Sequence, residues 1–230
     1  MIMKRNTILV ATMAIATLGS TTQSCVALAT SGVGLAVLKQ ILLGGITKGL
    51  NIFSNQDSFL ANQLIDAALP KQLKDINNTL QSLGLTNLVN KEKEYIAKAA
   101  AFTVDTSRPI LINAVNSLTA EDAARIVQGG TGAATQILRE RTSAQLIAAI
   151  TPKVDAKLNE FGIVQSLNSA LAGSNLLGSL LGGQNSTSSL TGGISKLASQ
   201  QMVNGLFSII QNHESQNSAS ILNSLKAVQQ

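Results

Sequence analysis

The sequence predicts an all-α protein, a single compact multi-helix bundle with a Gly/Ser-rich loop before its last long helix. Residues that favour strands are scarce, since the 230 residues include no tryptophan, one tyrosine and five phenylalanines. Long stretches rich in Ala and Leu favour helix, and only three prolines interrupt them. Apolar residues also recur at helical spacing, for example at Leu73, Ile76 and Leu80. A core so poor in aromatic rings is filled by aliphatic side chains, which lets helices approach closely.

The first 25 residues are typical of a secretory signal. Lys4 and Arg5 supply the positive start, and residues 7–18 form an uncharged, mostly apolar stretch. This stretch is shorter than the roughly 20 residues that a membrane-spanning helix needs. We therefore expect a signal peptide at residues 1–24, followed by a single helical domain at residues 30–230 that is large enough for one sizeable core.

Two processing sites compete at the end of this signal. Ser24 before Cys25 resembles the lipidation site of a bacterial lipoprotein, whereas the Ala-Leu-Ala sequence at residues 27–29 suits ordinary signal peptidase. Either route removes or modifies Cys25, the only cysteine, and so excludes disulfides and thiolate zinc ligands. The predicted location is the periplasm, or a membrane of the bacterial envelope through a lipid on Cys25.

The first predicted helix covers residues 35–53. Three glycines between residues 44 and 49 weaken it by roughly 0.5–1 kcal/mol each relative to alanine. Its Leu/Ile face can pack on the protein body, or the helix can lie on a membrane surface beside the lipid anchor, and we favour packing. Asp57 is expected to cap a second, short helix that runs through Leu69.

Prolines and glycines divide the next predicted elements. Pro70 suits the start of a helix that Gly84 ends. Residues 86–118 are expected to be mostly helical, with a kink or break near Ser107 because Pro109 follows.

Capping patterns mark the start of two further helices. Thr119, with acids two and three residues later, predicts a helix start whose end should lie at Gly129. Thr131 is expected to cap the next helix, which runs through Arg141.

The last third of the chain is expected to contain helices and one loop. Thr142 is predicted to open a helix that Pro152 breaks or bends. Residues 172–193 are rich in Gly, Ser, Asn and Thr, which predicts a flexible loop. A final helix is expected at residues 194–214, with a short tail helix at residues 218–228.

A run of short motifs in fixed order and spacing covers most of the mature chain. They are Leu38-Lys39-Gln40, Gly45 and Gly49, Asp57-x-Phe59-Leu60, Leu69-Pro70, Arg108-Pro109-Ile110-Leu111, Thr119-x-x-Asp122-Ala123, Gly129-Gly130, Ala133-Ala134-Thr135, Arg139, Thr142, and Gln201-x-x-x-Gly205-Leu206-Phe207. In these motifs the chain resembles the bacterial domain-of-unknown-function family numbered 4197, between about residues 37 and 225. The resemblance implies an exported or lipoprotein-like helical domain and gives no activity to inherit.

The chain departs from the pattern of that family at three positions. The family has an Asn and a Glu in the helix before the proline, where by spacing this chain has Ala97 and Ala101. A tyrosine of the family pattern near Ile137 is also missing. If those polar groups form an active site in the family, this chain lacks part of it.

All four arginines of the mature chain fall between residues 108 and 141. Guanidinium groups bind carboxylates and phosphates well, and a glycine-rich turn that opens a helix adds free N–H groups, so this region is a candidate anion site. The turn has no Gly-Lys-Ser/Thr ending and is not a nucleotide P-loop. The alternative is a tight helix connection with local ion pairs, Asp105 with Arg108 and Glu121 with Arg125. The candidate residues are Arg108, Arg125, Gly130, Thr131, Thr135, Arg139 and Arg141.

His213, the only histidine, lies beside Glu214 on the last predicted helix. Such a pair can act as a general base or bind metal, but one histidine does not make a multi-histidine zinc site. No serine lies in a recognisable nucleophile elbow. We therefore expect no catalytic residue, no metal and no cofactor.

Three hypotheses of function remain. Loss of Lys4 and Arg5 with the signal lowers the net charge from +5 to +3, which is too mild to predict nucleic-acid binding. The leading hypothesis is a non-enzymatic helical protein of the cell envelope that binds an unidentified partner through a groove or surface, with a small anionic ligand and a protein as the candidates. The second is an enzyme that acts on an anionic envelope substrate at residues 108–141. The third is a membrane-interface structural lipoprotein that uses its lipid and the helix at residues 35–53.

Overall fold

Ten helices and no strand form the regular structure of the described residues, 32–171 and 187–227, in this computed structural model. The prediction of an all-α multi-helix bundle is confirmed. The signal peptide, Cys25 and residues 172–186 of the predicted loop lie outside the described residues. In chain order the helices are α1 (Gly32–Ser54), α2 (Gln56–Leu60), α3 (Gln63–Ala67), α4 (Lys71–Ser82), α5 (Thr86–Ala101), α6 (Val104–Asn116), α7 (Ala120–Gly129), α8 (Ala133–Glu160), α9 (Ile163–Leu171) and α10 (Thr187–Ala227).

Helices α1 and α10 pack closely against each other in the bundle. A Cβ atom added to Gly45 would lie 3.2 Å from the Cα atom of Ile210, and one added to Gly49 would overlap a methyl group of Leu206. The glycines that weaken α1 as an isolated helix therefore let α10 approach it. The buried apolar residues of α1 follow helical spacing and are Leu38, Leu42, Ile46, Leu50 and Phe53.

Helix α1 is also long and apolar enough to cross a membrane, judged by length and composition alone. In the bundle its apolar stripe is buried, and its exposed face carries polar side chains such as Gln40, Lys48 and Asn51. This is the amphipathic pattern of a helix that packs on a protein body. Packing is the alternative that we favoured for this segment.

Helix α8 supplies a second long surface of the core. It packs against α10, and also against α5, α6 and α7. The remaining short helices enclose these contacts, with α3 packed on α10 and α4 packed on α5. The apolar residues that α8 buries include Leu138, Leu146, Ile150, Val154 and Leu158.

Two asparagines, rather than Asp57, start the short helices that follow α1. The Asn55 side chain accepts a hydrogen bond from the Ser58 N–H at 2.8 Å. The Asn62 side chain accepts from the N–H groups of Leu64 and Ile65 at 3.1 and 3.3 Å. The prediction of one helix through Leu69 was wrong because the second asparagine cap starts a new helix.

The break predicted near Ser107 lies earlier, at Phe102 and Thr103. The N–H groups of both residues donate to carbonyls three residues back, which tightens and ends α5. Pro109 lies inside α6 instead of ending a helix. Pro109 and Asp105 are both exposed, so water can reach the Asp105 carbonyl that lacks its usual helical donor.

Helix α8 runs without interruption, so the helix start predicted at Thr142 and the break predicted at Pro152 were wrong. Thr142 is buried within the helix, and its hydroxyl donates to the Leu138 carbonyl at 2.7 Å. Pro152 is exposed, as is Ala148, whose carbonyl loses its donor. Both proline positions are tolerated because they face solvent.

Helix α10 likewise replaces two predicted elements. It begins at Thr187 rather than at residue 194, so the last part of the predicted loop is helical. It also continues past residue 218, where a separate tail helix was expected.

Candidate functional site

Two ion pairs within the predicted arginine cluster join α7 to α8. The Arg141 guanidinium contacts the Asp122 carboxylate, and the Arg125 guanidinium lies 3.9 Å from the Glu140 carboxylate. Arg125 therefore pairs with Glu140 on the next helix instead of with its neighbour Glu121. These contacts tie two helices together.

Asp122 also completes the capping box predicted at the start of α7. The Thr119 N–H donates to the Asp122 carboxylate at 2.9 Å, and the Asp122 N–H donates to the Thr119 hydroxyl at 3.3 Å. Burial raises the pKa of Asp122, but the Thr119 N–H, Arg141 and the Thr119 hydroxyl together bring this pKa below its usual value. Asp122 is therefore an ionised cap.

The other two arginines of the cluster have separate surroundings. The Arg139 guanidinium lies 5.1 Å from the centre of the Phe207 ring of α10, a cation–π contact, and burial lowers the pKa of Arg139. Arg108 is half-buried on α6. The structure thus assigns two of the four arginines to α7–α8 ion pairs and a third to an aromatic ring.

The glycine-rich turn between α7 and α8 does hold a carboxylate, and it belongs to the chain itself. Gly130 and Gly132 have positive φ angles of 71° and 90°, a conformation that suits glycine. Glu214 of α10 accepts from the N–H groups of Gly132 and Ala134 at 3.1 Å each. It also accepts from the Thr135 N–H at 2.8 Å and from the Thr135 hydroxyl at 2.6 Å. Only 4 % of Glu214 is exposed.

Glu214 therefore occupies the N–H groups that the sequence patterns offered to an external anion. The start of a helix favours negative charge, and the turn was identified on that ground. Thr131, another candidate residue, is exposed beside the turn, and the prediction that it caps α8 was wrong because Gly132 occupies the cap position. Binding of an external anion here stays a prediction, and it would require the Glu214 carboxylate to leave.

A second group of polar side chains is buried between α4, α5 and α10. Glu92 of α5, Asn77 of α4 and Gln201 of α10 are only 1 %, 4 % and 6 % exposed. Each occupies a position where the helix faces the core. Glu92, for example, lies three residues after the buried Val89 and four before the buried Ile96.

Five polar atoms of these three side chains lack a hydrogen-bond partner in the described part of the chain. They are both carboxyl oxygens of Glu92, both terminal atoms of the Asn77 amide and Oε1 of Gln201. The Gln201 amide nitrogen donates to the Ile65 carbonyl at 3.4 Å. A buried polar group without a partner costs about 1–3 kcal/mol, so this cluster opposes folding unless something else binds it.

Burial raises the pKa of Glu92 from 4.5 to about 7. The Asn77 amide, which lies near the Glu92 carboxyl group without meeting hydrogen-bond geometry, and the charge of Lys93 lower this pKa only in part. The Lys93 ammonium group lies 3.1 Å from the Asp66 carboxylate and pairs with it. Glu92 thus has no ion-pair partner among the described residues, and a pKa of about 7 places its loss of a proton near neutral pH. A carboxyl group with these properties inside a cleft is a candidate functional group.

A cavity of about 50 Å³ reaches Glu92 and Gln201, which leaves room for more than one water molecule. The Asp66–Lys93 ion pair lines it as well, and both of those side chains are partly exposed. A neighbouring hollow of about 320 Å³ shares Asp66, Leu69 and Lys93 and is lined by Asn77. We call the two spaces together the Glu92 cleft. The apolar walls of the inner cavity are Phe59, Leu60, Ile65, Leu69 and Ile96.

The sequence patterns considered above did not single out Glu92, Asn77 or Gln201 as site residues. A usable signal was present, because Glu92 falls between Val89 and Ile96 in an apolar stripe at helical spacing. A carboxyl group at a core position is rarely buried without a purpose. Gln201 entered only as part of a motif in the family resemblance.

The described residues contain no group of three or more His, Cys, Asp or Glu side chains that could hold a metal ion. His213 instead packs against α1, where a Cβ atom on Gly44 would lie 2.8 Å from the imidazole Nε2. Its neighbour Glu214 caps α8. The pair considered as a general base therefore consists of one packing residue and one capping residue.

Comparison with known families supports the resemblance seen in the sequence. The model of the family described as "Protein of unknown function (DUF4197)" matches residues 30–225. Searches of curated proteins and of solved structures gave no match. The matched range contains every residue of the Glu92 cleft and also Glu214. Since it spans most of the sequence, the chain belongs to the DUF4197 family of proteins of unknown function.

Proposed function

We propose that this protein is a ligand-binding module of the bacterial cell envelope and that the Glu92 cleft is its binding site. The single observation that carries this proposal is the set of five buried polar atoms without partners on Glu92, Asn77 and Gln201. Folded proteins pair nearly all such groups, and exceptions concentrate where a ligand or reaction completes them.

The form of the cleft supports binding of a small molecule. Five apolar side chains and a few polar ones line the inner cavity, and this mixture is usual in ligand pockets. Leu60 is 40 % exposed and lines the cavity, so this side chain lies both at the protein surface and at the cavity wall.

A fragment-binding experiment with two matched variants tests the proposal. Leu60→Trp places a bulky ring on the lining of the cleft. Leu83→Trp makes the same change at another exposed leucine, which is 55 % exposed and lies at the end of α4. Fragments of positive, neutral and negative charge are screened by ligand-observed NMR against the mature protein and both variants. We expect at least one fragment to bind the wild type and Leu83→Trp but not Leu60→Trp. If no fragment of any charge separates the two variants, the Glu92 cleft is not a binding site.

The envelope location rests on the signal-like first 25 residues and on Cys25. We propose export, with Cys25 carrying the lipid that would hold the protein at a membrane. Mass spectrometry of the mature N-terminus is expected to show a lipidated Cys25, and Cys25→Ser to release the protein from membranes. Recovery of the unprocessed chain inside the cell would contradict export, and a mature chain that starts at Thr30 would contradict the lipid anchor.

General acid–base catalysis at Glu92 is a second candidate function. The observation that favours it is the pKa of about 7, the value at which a carboxyl group can both donate and accept a proton near neutral pH. Turnover of any bound ligand that is lost in Glu92→Gln and kept in Glu94→Gln would support catalysis. Binding without turnover would leave the protein a binding module.

A further inference from the structure

The unpartnered polar atoms of Glu92, Asn77 and Gln201 are mostly hydrogen-bond acceptors. Four of the five are oxygens, and the only nitrogen, that of the Asn77 amide, lies near the Glu92 carboxyl group and lowers its pKa. The orientation of the Gln201 amide is fixed because its nitrogen already donates to the Ile65 carbonyl, which leaves its oxygen free. A complementary ligand therefore has to bring several hydrogen-bond donors.

The charge at the bottom of the cleft is also uncompensated. Glu92 brings one carboxyl group, and the nearest cation, Lys93, lies 3.1 Å from Asp66 and pairs with it. A buried carboxylate is stable only when an opposite charge or donors accompany it. A ligand with a positive charge and N–H donors would supply both.

The walls of the cavity distinguish an organic cation from a metal ion. Phe59, Ile65 and Ile96 are buried apolar side chains that cannot coordinate a hydrated ion. Calcium takes six to eight oxygens, whereas the cleft offers four unpartnered side-chain oxygens, two of which belong to the Glu92 carboxyl group. An alkyl chain, in contrast, gains from contact with these walls.

Building on the proposed binding function, we infer that the Glu92 cleft takes a primary amine with a short apolar body, whose ammonium group pairs with Glu92 and bonds to Gln201 and Asn77. The alkyl part of the amine lies between Phe59 and Ile96. A longer ligand would extend from the cavity past the Leu60 side chain.

Three five-carbon probes that differ only in their polar group test this inference. Pentylamine, pentanol and pentanoate are titrated against the mature protein at pH 8 by NMR. We expect pentylamine to bind at least tenfold more tightly than pentanol, and pentanoate not to bind. Glu92→Gln should weaken pentylamine at least tenfold and weaken pentanol much less, because pentanol carries no charge. Glu94→Gln, an exposed change on the same helix, should alter neither.

The pH dependence of binding gives a second readout. Binding of an ammonium group requires the ionised form of Glu92, so pentylamine affinity should fall about tenfold per pH unit below pH 7. Pentanol affinity should not follow this trend. The other charged groups that line the cleft are Asp66, Lys93 and Lys74.

The outcomes separate this inference from the proposed function. If pentanol or pentanoate binds as tightly as pentylamine and Leu60→Trp blocks it, the amine assignment is wrong and the binding site stands. If calcium displaces pentylamine in a Glu92-dependent manner at equal concentration, the site is a metal site and the amine assignment is wrong. If no probe or fragment binds, both proposals are wrong.

Discussion

Two buried glutamates have opposite effects on the stability of this protein. Glu214 receives four hydrogen bonds at the start of α8, whereas both oxygens of Glu92 lack partners in the part of the chain that the structure describes. Glu214 therefore stabilises the fold, and Glu92 opposes it. Such a conflict between a local group and the surrounding core is typical of functional positions.

Glu92 should make stability fall as pH rises. Its pKa is about 7 in the folded protein and 4.5 ordinarily, so between these values the folded state holds a proton that the unfolded state has lost. The free energy of unfolding should drop by about 3 kcal/mol from pH 4.5 to pH 7 and then level off. Glu92→Gln should remove most of this slope and be more stable than the wild type at pH 8.

Urea unfolding at pH 5 and pH 8 measures that slope. Glu94→Gln is the control, and it should keep the pH dependence of the wild type because residue 94 is exposed. Asp122 contributes nothing in this window because its pKa lies below its usual value of 3.8. Equal slopes for the wild type and Glu92→Gln would show that Glu92 is not the buried acid described here.

Removal of the Glu214 carboxylate should destabilise the protein. Glu214→Ala leaves three N–H groups and the Thr135 hydroxyl without an acceptor, at a cost on the order of 2–3 kcal/mol. Glu214→Gln keeps one acceptor oxygen and should cost less. Glu140→Ala, at an exposed position 3.9 Å from Arg125, should cost less than about 0.5 kcal/mol. Urea unfolding that ranks Glu140→Ala as the more harmful change would contradict the capping role.

At the scale of elements, contacts between helices decide whether a helix starts or ends where the local sequence predicts. Helical periodicity and the Thr119 capping box predicted their elements correctly because both depend on neighbouring residues alone. Pro152 and Thr142 were misjudged because the core buries one face of α8 along its whole length and holds the helix together across them. That burial depends on α10, which the local pattern does not contain.

The close contact between α1 and α10 predicts how one methyl group added at Gly45 changes the stability of the protein. Gly45→Ala would place a Cβ atom 3.2 Å from both the Cα atom and a side-chain methyl of Ile210. We expect a loss of about 1–3 kcal/mol, because the clash with backbone outweighs the better helix propensity of alanine.

Thermal unfolding of Gly45→Ala beside Gly32→Ala tests this contact. A Cβ atom on Gly32, at the start of the same helix, meets nothing within 4 Å, so that variant should keep the stability of the wild type. A Gly45→Ala protein that melts at a higher temperature than the wild type would show that the two helices are not in close contact there.

At the scale of the whole molecule, α10 contacts α1, α3, α4, α8 and α9 and so closes the bundle. A chain of residues 30–186 lacks this helix and should retain helical signal without a cooperative thermal transition, because the apolar stripes of α1 and α8 lose their cover. Circular dichroism melting and dye binding measure the difference from the chain of residues 30–230. Sharp, cooperative melting of the shorter chain would contradict a central role for α10.

Sequence patterns predicted the fold class, the family and the helical periods, because composition and spacing determine them. The candidate site was harder to predict. The turn at residues 129–132 was identified as an anion site, but its partner Glu214 lies about 80 residues further along the chain. The Glu92 cleft joins residues of α4, α5 and α10, and only the folded arrangement brings Asn77 and Gln201 near Glu92. Residues that pair over such long distances in the sequence have no characteristic spacing that a sequence pattern could detect.

The long sequence separation between Glu214 and the helix start that it caps has a consequence for the order in which parts of the protein fold. The start of the helix that it caps is synthesised about 80 residues before the cap itself. Until then the first turn of α8 has open N–H groups, and the apolar surfaces on either side of it have no cover. We therefore expect the cap at Glu214 and the core contacts of α10 to form together, as a late step of folding.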